Sequence, residues 1–424
     1  MLYSIFCFLA FVSTCAGAIL TLADQCWHEF PLSAASFQSS LNGAYQITSI
    51  ANSEVFQNEG LGRIKNTLGN TKYGRWTHQP ICTEILEGVG DKLCVYTNSS
   101  FSHGRGISIF TTPTIAEEVA GLPAFQDPAA LPKANVNIDS RVWEAKSIPG
   151  KGIGVVAKRT LKFKDRVTAY TPALLAYLDD GLELLEREKY LRIAVEQLPE
   201  ATRDSYLHLA YIYGYPDIRV QDIVKGNTFQ LQLAGQNHLA IFPETSRFNH
   251  DCSPNAQYYL DPELLTHFVH TTRPVAPGEE INLVYTSPLE DTATRQQKLQ
   301  DGFHFTCSCS RCTAHSTDPT LDQMQGMQDS LNDWSATSTG SPKLAEKLLQ
   351  LYRKEGLEGF LDIPYGFAAL AYNAVGNSKE AEKYANLARE AILMKDGPWT
   401  PNLQLWNELL KDSKKHWSYR RRLE

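Results

Sequence analysis

Three cysteines fall within six residues, Cys307-Ser308-Cys309-Ser310-Arg311-Cys312, and this spacing constrains the fold more than any other feature of the chain. Three sulfurs so close can occupy three corners of a zinc tetrahedron, each about 2.3 Å from the metal. The fourth corner must come from elsewhere, and Cys252 is the only other cysteine in the central region. Scattered free thiols or a disulfide pair are the competing accounts. A bridge across one intervening residue would be strained, which disfavours the pair. Cys26, Cys82 and Cys94 lie in the N-terminal third, where Cys82 and Cys94 could close a short loop in an oxidising compartment. Metal ligands need reduced thiolates instead; a metal bound early in folding would protect them.

The beginning of the chain reads differently. Leu2 to Ala23 carries no charge, Phe6 to Val12 is a dense apolar run, and Ala16-Gly17-Ala18 is a small-residue cleavage pattern. The expectation is a secretory signal peptide, residues 1–18, carrying away Cys7 and Cys15. No Lys or Arg precedes the apolar run, so an uncleaved anchor or a mis-assigned chain start are the alternatives. The expected location is the secretory pathway or the outside of the cell, or the nucleus or cytoplasm if the start is misassigned. No later stretch is apolar enough to span a bilayer. Across 424 residues the net charge is −7, so the chain has no overall basic footprint for nucleic acid and none is expected as a direct partner. Arg420-Arg421-Arg422 reads as a solvated helix end, or as a nuclear signal if the start is misassigned.

Hydrophobic residues make up 43% and charged residues 21%, an ordinary globular balance, and the length suits two or three domains. From 24 to about 110, short apolar runs are broken by Gly, Asn, Ser and Thr, as strands and turns would require. Asn98-Ser99-Ser100 is a glycosylation sequon. The Pro/Ala-rich stretch Leu122 to Lys133 reads as linker. Residues 141–171 read as strands. Residues 173–213 read as helix, with Leu184, Leu191, Val195 and Leu198 on one face. Strand patterning returns from Gln230 to Tyr285. A Ser/Thr-rich junction near 334–342 precedes a helical end with Leu344, Leu348 and Leu351 on one face. Tyr372, Ala381 and Ala388 stand as in a tetratricopeptide-like helix pair. A single unit is too few for a solenoid, so a helical cap is the simpler reading.

Three further motifs are weak alone. Gly150-Lys151-Gly152-Ile153-Gly154-Val155 is a Gly-rich turn between strand-like runs, and lacks the following helix of a dinucleotide site. Gly104-Arg105-Gly106 is treated as an ordinary turn. Ser246-Arg247-Phe248-Asn249-His250-Asp251-Cys252-Ser253-Pro254-Asn255 packs donors, acceptors and a thiol into ten residues, which a satisfied polar turn would also explain. Gly278-Glu279-Glu280-Ile281-Asn282-Leu283-Val284-Tyr285 alone is an unremarkable hairpin.

Taken in order, these four motifs resemble SET-domain lysine methyltransferases. The closest likeness is to the SET-and-MYND branch and to fungal SET proteins with a secretory-like extension, over about 170 residues. The resemblance implies an α+β fold of small sheets with a pseudoknot. To it belong a helical insert, a zinc-binding post-SET segment and a helical C-terminal region. The expected division is a β-rich extension at 19–121, a linker at 122–139, the SET domain at 140–290 with its insert at 173–229, the post-SET segment at 291–315 and a tetratricopeptide-like region at 340–424. The insert holds too few cysteines for the MYND zinc module.

The resemblance also implies roles. Lys151, Gly152, Ile153 and Gly154 would wrap the methionine part of S-adenosylmethionine, with Arg247 supporting. Asn249 and His250 would bind its amino group and adenine, Tyr285 would be the catalytic tyrosine, and Phe305 would cover the adenine. Cys252, Cys307, Cys309 and Cys312 would hold structural Zn2+. Phe303, Phe305 and Tyr285 would line the lysine channel. The partner would be a protein presenting a lysine, a histone tail among the candidates, and the chain is expected to be a monomer. The sequence departs from the pattern at Asp251, where Ser is usual, at Lys164-Asp165 in place of Gly-Asp, and at Thr171 before Pro172, where Glu is frequent. A non-catalytic, peptide-binding SET scaffold is the competing functional reading.

Overall fold

The computed structural model describes residues 72–422, apart from 179, 180 and 315. The expected signal peptide, Cys7, Cys15 and Cys26 lie outside the described residues. The strands are β1 (Ile81–Leu86), β2 (Asp91–Asn98), β3 (Ile107–Thr111), β4 (Trp143–Ile148), β5 (Gly152–Ala157), β6 (Arg166–Tyr170), β7 (Leu174–Tyr177), β8 (Thr228–Leu233), β9 (Gln236–Ile241), β10 (Ala256–Asp261), β11 (Thr266–Thr271) and β12 (Glu280–Ile281). They form a six-stranded sheet ordered β1-β2-β3-β7-β9-β8 and two three-stranded sheets, β10-β11-β6 and β12-β5-β4.

The six-stranded sheet has a core on each face, because side chains alternate along a strand. Cys94, Tyr96, Ile107 and Ile109 face one core, with Phe125, Leu175, Ala240 and the helix α1 (Pro113–Ala120). Leu93, Val95 and Phe110 face the other, with Leu174, Ala176, Ile241 and the helices α2 (Leu184–Glu196) and α4 (Arg219–Asn227). Leu191, Val195 and Leu198 are buried there as the helical spacing predicts, while Leu184 stays half-buried. Between these helices lies α3 (Glu200–Leu207). Cys82 and Cys94 sit opposite each other on β1 and β2 and are disulfide-bonded.

Three expectations about the N-terminal half differ from the structure. The strands expected in a separate extension are continuous with the rest: β3 pairs in parallel with β7, Ser108 opposite Leu174 and Phe110 opposite Ala176. The stretch 122–139 is packed rather than a linker. Short helical turns at Pro123–Gln126 and Ala130–Lys133 bury Phe125, Leu131 and Val136. Pro at the first helical position and Ala within a helix both favour helix, so the composition suits a start signal as well as a linker. The helical insert also opens on strand β7, because Ala173 to Ala176 is buried on both sides and pairs with β9.

Beyond the small sheets the chain is helical: α5 (Thr292–Phe303), α6 (Thr317–Asn332), α7 (Pro342–Lys354), α8 (Asp362–Ala374), α9 (Ser378–Lys395) and α10 (Leu403–Lys411). Leu348, Ala381 and Ala388 are fully buried between them, and Tyr372 stacks on Tyr384 with ring centroids 5.6 Å apart. This region seats against β10, where Gln257 Nε2 donates to the carbonyl of Gly359 at 3.2 Å. Val284 belongs to the same core, which places these helices directly behind Tyr285. No helix among the described residues is long and apolar enough to cross a membrane.

Two imidazoles in the sheets, His238 and His267, are buried, and a third, His270, is half-buried. Burial lowers His238 and His270 to about 4 and His267 to about 3, with Arg166 adding to the shift at His270. In the unfolded chain each would titrate near 6.5. The folded form therefore binds fewer protons below that pH, and stability present above it is lost as pH falls toward 4. A thermal melt series should show Tm dropping by on the order of 10 °C between pH 7 and pH 4.5. A flat Tm across that window would show that these rings do not stay neutral.

Candidate active site and metal centre

Four separated stretches meet at one place. The turn after β4 enters β5 through Gly152, whose φ of 78° is open to glycine at no steric cost. At Gly154, a Cβ would lie 2.6 Å from Asn249 Nδ2 and 2.8 Å from Glu280 Oε1. Asn249 Nδ2 donates to Glu280 Oε1 at 2.8 Å, and Lys151 Nζ to Glu280 Oε2 at 2.9 Å. Lys151, Gly154, Asn249 and Glu280 thus form one polar cradle. Ile153 lies on β5 opposite Ser147 and is 48% exposed. Arg247 ends a helical turn that packs on β5 and is half-buried.

Asn249 to Asp251 runs parallel to Leu283. Leu283 N donates to Asn249 O at 3.0 Å and Asp251 N to Leu283 O at 2.9 Å. Asn255, buried, clamps the same pair of segments: its Nδ2 donates to Glu280 O at 2.8 Å and its Oδ1 accepts from Asn282 N at 2.8 Å. The second and third motifs are therefore joined, as the resemblance implies. At two of the three departures from the family pattern the local structure is intact. Lys164 takes the positive φ of 69° that glycine would supply, and Asp251 Oδ1 accepts from Ser253 N at 2.8 Å.

This pairing delivers Tyr285 to a narrow apolar channel. Its hydroxyl donates to Phe248 O at 2.6 Å, and its ring lies 4.8 Å from that of Phe303 and 6.4 Å from Phe305. Phe305 also stands 6.1 Å from His250. The channel is lined by Phe229, Phe248, Tyr258, Val284, Tyr285 and Phe303, with Thr228, Thr245 and Ser246 nearby. Burial, and then the charge of Glu280, push the Tyr285 phenol well above its ordinary value, so it stays protonated. Burial lowers His250 to about 3, so its imidazole is neutral.

Beside the channel, the ligand atoms of Cys252, Cys307, Cys309 and Cys312 lie within 4.8 Å of one another, and the Sγ atoms of Cys252 and Cys312 are 3.5 Å apart. A tetrahedron with sulfur at about 2.3 Å from its centre has edges of about 3.8 Å, so the set fits a zinc ion. Two buried arginines back the cluster. Arg295 Nη2 is 3.9 Å from Cys312 Sγ, and Arg311 Nη1 donates to the carbonyls of Cys252 and Pro288 at 2.7 and 2.8 Å.

Sequence reasoning missed Glu280, although it lies inside a quoted motif, because an acid in a hairpin turn looks solvated. It also missed Phe229, Thr245 and Tyr258 as channel walls. Their only signal is alternation within strand-like runs, which any core residue shares.

Residues 152–286 match the SET domain, so this segment of the chain is a SET domain. Among similar proteins, histone-lysine N-methyltransferase set5 of Schizosaccharomyces pombe is 30% identical over 179 residues, covering 41% of this chain and 51% of that protein. Human N-lysine methyltransferase SMYD2 is 32% identical over 108 residues, 25% of this chain and 24% of SMYD2. Histone-lysine N-methyltransferase SET5 of Saccharomyces cerevisiae is 31% identical over 142 residues, 29% of this chain and 27% of that protein. The chain thus spans about half the length of the first relative and about a quarter of the other two.

Proposed function

We propose that the protein transfers a methyl group from S-adenosylmethionine to lysine side chains of a protein substrate. The observation that carries this reading is the meeting of the Gly152–Gly154 turn, Asn249–His250 and Tyr285 beside one apolar channel. Relatives named as lysine methyltransferases support it.

The cradle suits the cofactor. Lys151, Asn249 and Glu280 offer donors and an acceptor of the kinds that the carboxylate and ammonium of a methionine moiety require. The missing Cβ at Gly154 lets backbone approach closely. Gly152 and Ile153 shape the turn, Arg247 supports it, and Phe305 closes the adenine side. When bound, S-adenosylmethionine supplies an electrophilic methyl group.

The chain's own residues prepare the amine. A free lysine has a pKa of about 10.4, so roughly one in a thousand is neutral near pH 7. Phe229, Phe248, Tyr258 and Phe303 replace water around the amine, which disfavours the ammonium form and lowers that pKa. Tyr285 is not the base, since its own proton is tightly held. Its hydroxyl proton is committed to Phe248 O, leaving the oxygen as an acceptor facing the channel. Fixing amine and donor in line supplies much of the acceleration. Cys252, Cys307, Cys309 and Cys312 would hold a zinc ion through four sulfurs, which would give it a structural role and no chemistry. It holds the segment carrying Phe303 and Phe305 in place.

Gly154→Ala is expected to weaken S-adenosylmethionine binding by at least about tenfold, because the added methyl must displace Asn249 or Glu280. Calorimetric titration measures it, and unchanged affinity would place the cofactor elsewhere. The decisive assay for function is transfer of radiolabelled methyl to a histone panel and a whole-cell lysate. Label on lysine is the expected result. A protein that binds S-adenosylmethionine yet labels nothing would instead be a peptide-binding scaffold.

A further inference from the structure

The imidazole of His250 stands between the cysteine cluster and Tyr285, and each ring nitrogen has its own partner. The backbone N–H of Tyr285 meets Nδ1 at 2.9 Å. A backbone N–H can only donate, so Nδ1 must accept. The single proton of the neutral ring then lies on Nε2, which stands 3.2 Å from Cys252 Sγ. The ring is buried and Cys252 is fully buried, so no solvent competes for either bond.

We propose that His250 is a positioning residue that links the metal state of the four-cysteine site to Tyr285, through Nε2–H to Cys252 Sγ and Tyr285 N–H to Nδ1. The proposal rests on reading the cluster as a metal site. A metal-bound thiolate is a full-charge acceptor, whereas a neutral thiol sulfur accepts weakly and carries a proton of its own. Loading the metal therefore strengthens the bond to Nε2 and fixes the ring plane, as partners of metal ligands do elsewhere. The fixed ring in turn holds the Tyr285 backbone at one end, while Phe248 O holds its hydroxyl at the other. The two-residue spacing of His250 and Cys252 suits this arrangement, because alternate residues of an extended stretch share a face. Pairing with Leu283 uses Asn249 O and Asp251 N, so the His250 backbone is turned to the opposite edge. The side chain thus serves the metal link and the main chain remains for a ligand.

The test uses the full chain loaded with cobalt(II) in place of zinc, compared with the same preparation of His250→Phe. Both should take up one ion per chain. The thiolate-to-cobalt charge-transfer bands should shift in the variant, because Cys252 loses its hydrogen bond. Radiolabelled methyl transfer to the histone panel and lysate should fall at least about tenfold while calorimetric affinity for S-adenosylmethionine changes little, as for other partners of metal ligands. Nitrogen NMR of the wild-type zinc protein should place the His250 proton on Nε2, a measurement that stands even if the variant misfolds. Identical cobalt spectra, or a proton on Nδ1, overturn this proposal alone. A wild-type chain that takes up no cobalt or zinc overturns the metal reading and this proposal with it.

Discussion

Tyr285→Phe is expected to lower kcat for methyl transfer by about a hundredfold or more, with little change in the calorimetric affinity for S-adenosylmethionine. The ring should keep its place, since Phe303, Phe305 and the backbone bond to His250 hold it. What disappears is the hydroxyl oxygen that faces the channel. Its loss also leaves the Phe248 carbonyl short of a donor, which should cost about 1–3 kcal/mol of stability. The two effects separate in a turnover assay well below Tm. The pH profile discriminates further. If Tyr285 were a general base, activity would follow its deprotonation. Held protonated by burial, it should contribute no titration below about pH 10, and the rate should rise only as substrate lysine loses its proton. Full activity in the variant would remove Tyr285 from the reaction.

The site was legible in the sequence wherever chemistry is concentrated in short stretches. Cys307, Cys309 and Cys312 announce themselves by spacing, and the structure brings Cys252 to them from 55 residues earlier in the chain, the interval between Cys252 and Cys307. Asn249, His250 and Tyr285 are polar or aromatic residues with nearby backbone partners, so the local pattern carried the information. The role of the His250 side chain was not legible. Which atom an imidazole nitrogen meets depends on a register between 250 and 285 that no local periodicity encodes. The N-terminal half was hardest to divide, because β3 joins β7 across 62 residues, from Thr112 to Ala173, and parallel pairing leaves no turn signal in between. The packed stretch at 122–139 misled for another reason. Phe125, Leu131 and Val136 are too few to show a helical period, yet each finds a core position through tertiary contact.

Removing the metal should have the largest effect on the folded state. Four thiolates and one Zn2+ carry a net charge of −2, and the buried guanidinium of Arg295 supplies +1 beside them, while Arg311 binds the carbonyls of Cys252 and Pro288. Arg311 also meets Glu355 Oε2 at 3.2 Å, and both side chains are buried. Without metal the thiols take up protons, and the cluster's negative charge is largely lost while Arg295 remains. Uncompensated buried charge is costly, and structural zinc sites carry binding free energies of about 10–16 kcal/mol in small peptides. Prolonged chelation, or Cys309→Ser, should therefore lower Tm by more than about 10 °C. Metal analysis should find one zinc per chain before treatment and none after. The loosening should reach beyond the cluster. Glu355 caps α7, and Arg311 is its buried partner, so hydrogen exchange should accelerate at Glu355–Phe367 as well as at Phe303–Thr313. Glu355→Gln should reproduce the exchange change at the helices while leaving zinc bound, because its carboxylate touches Arg311 and none of the four sulfurs. Exchange that rises only at the cysteine segment would mean that the arginine bridge does not carry metal binding into the helices.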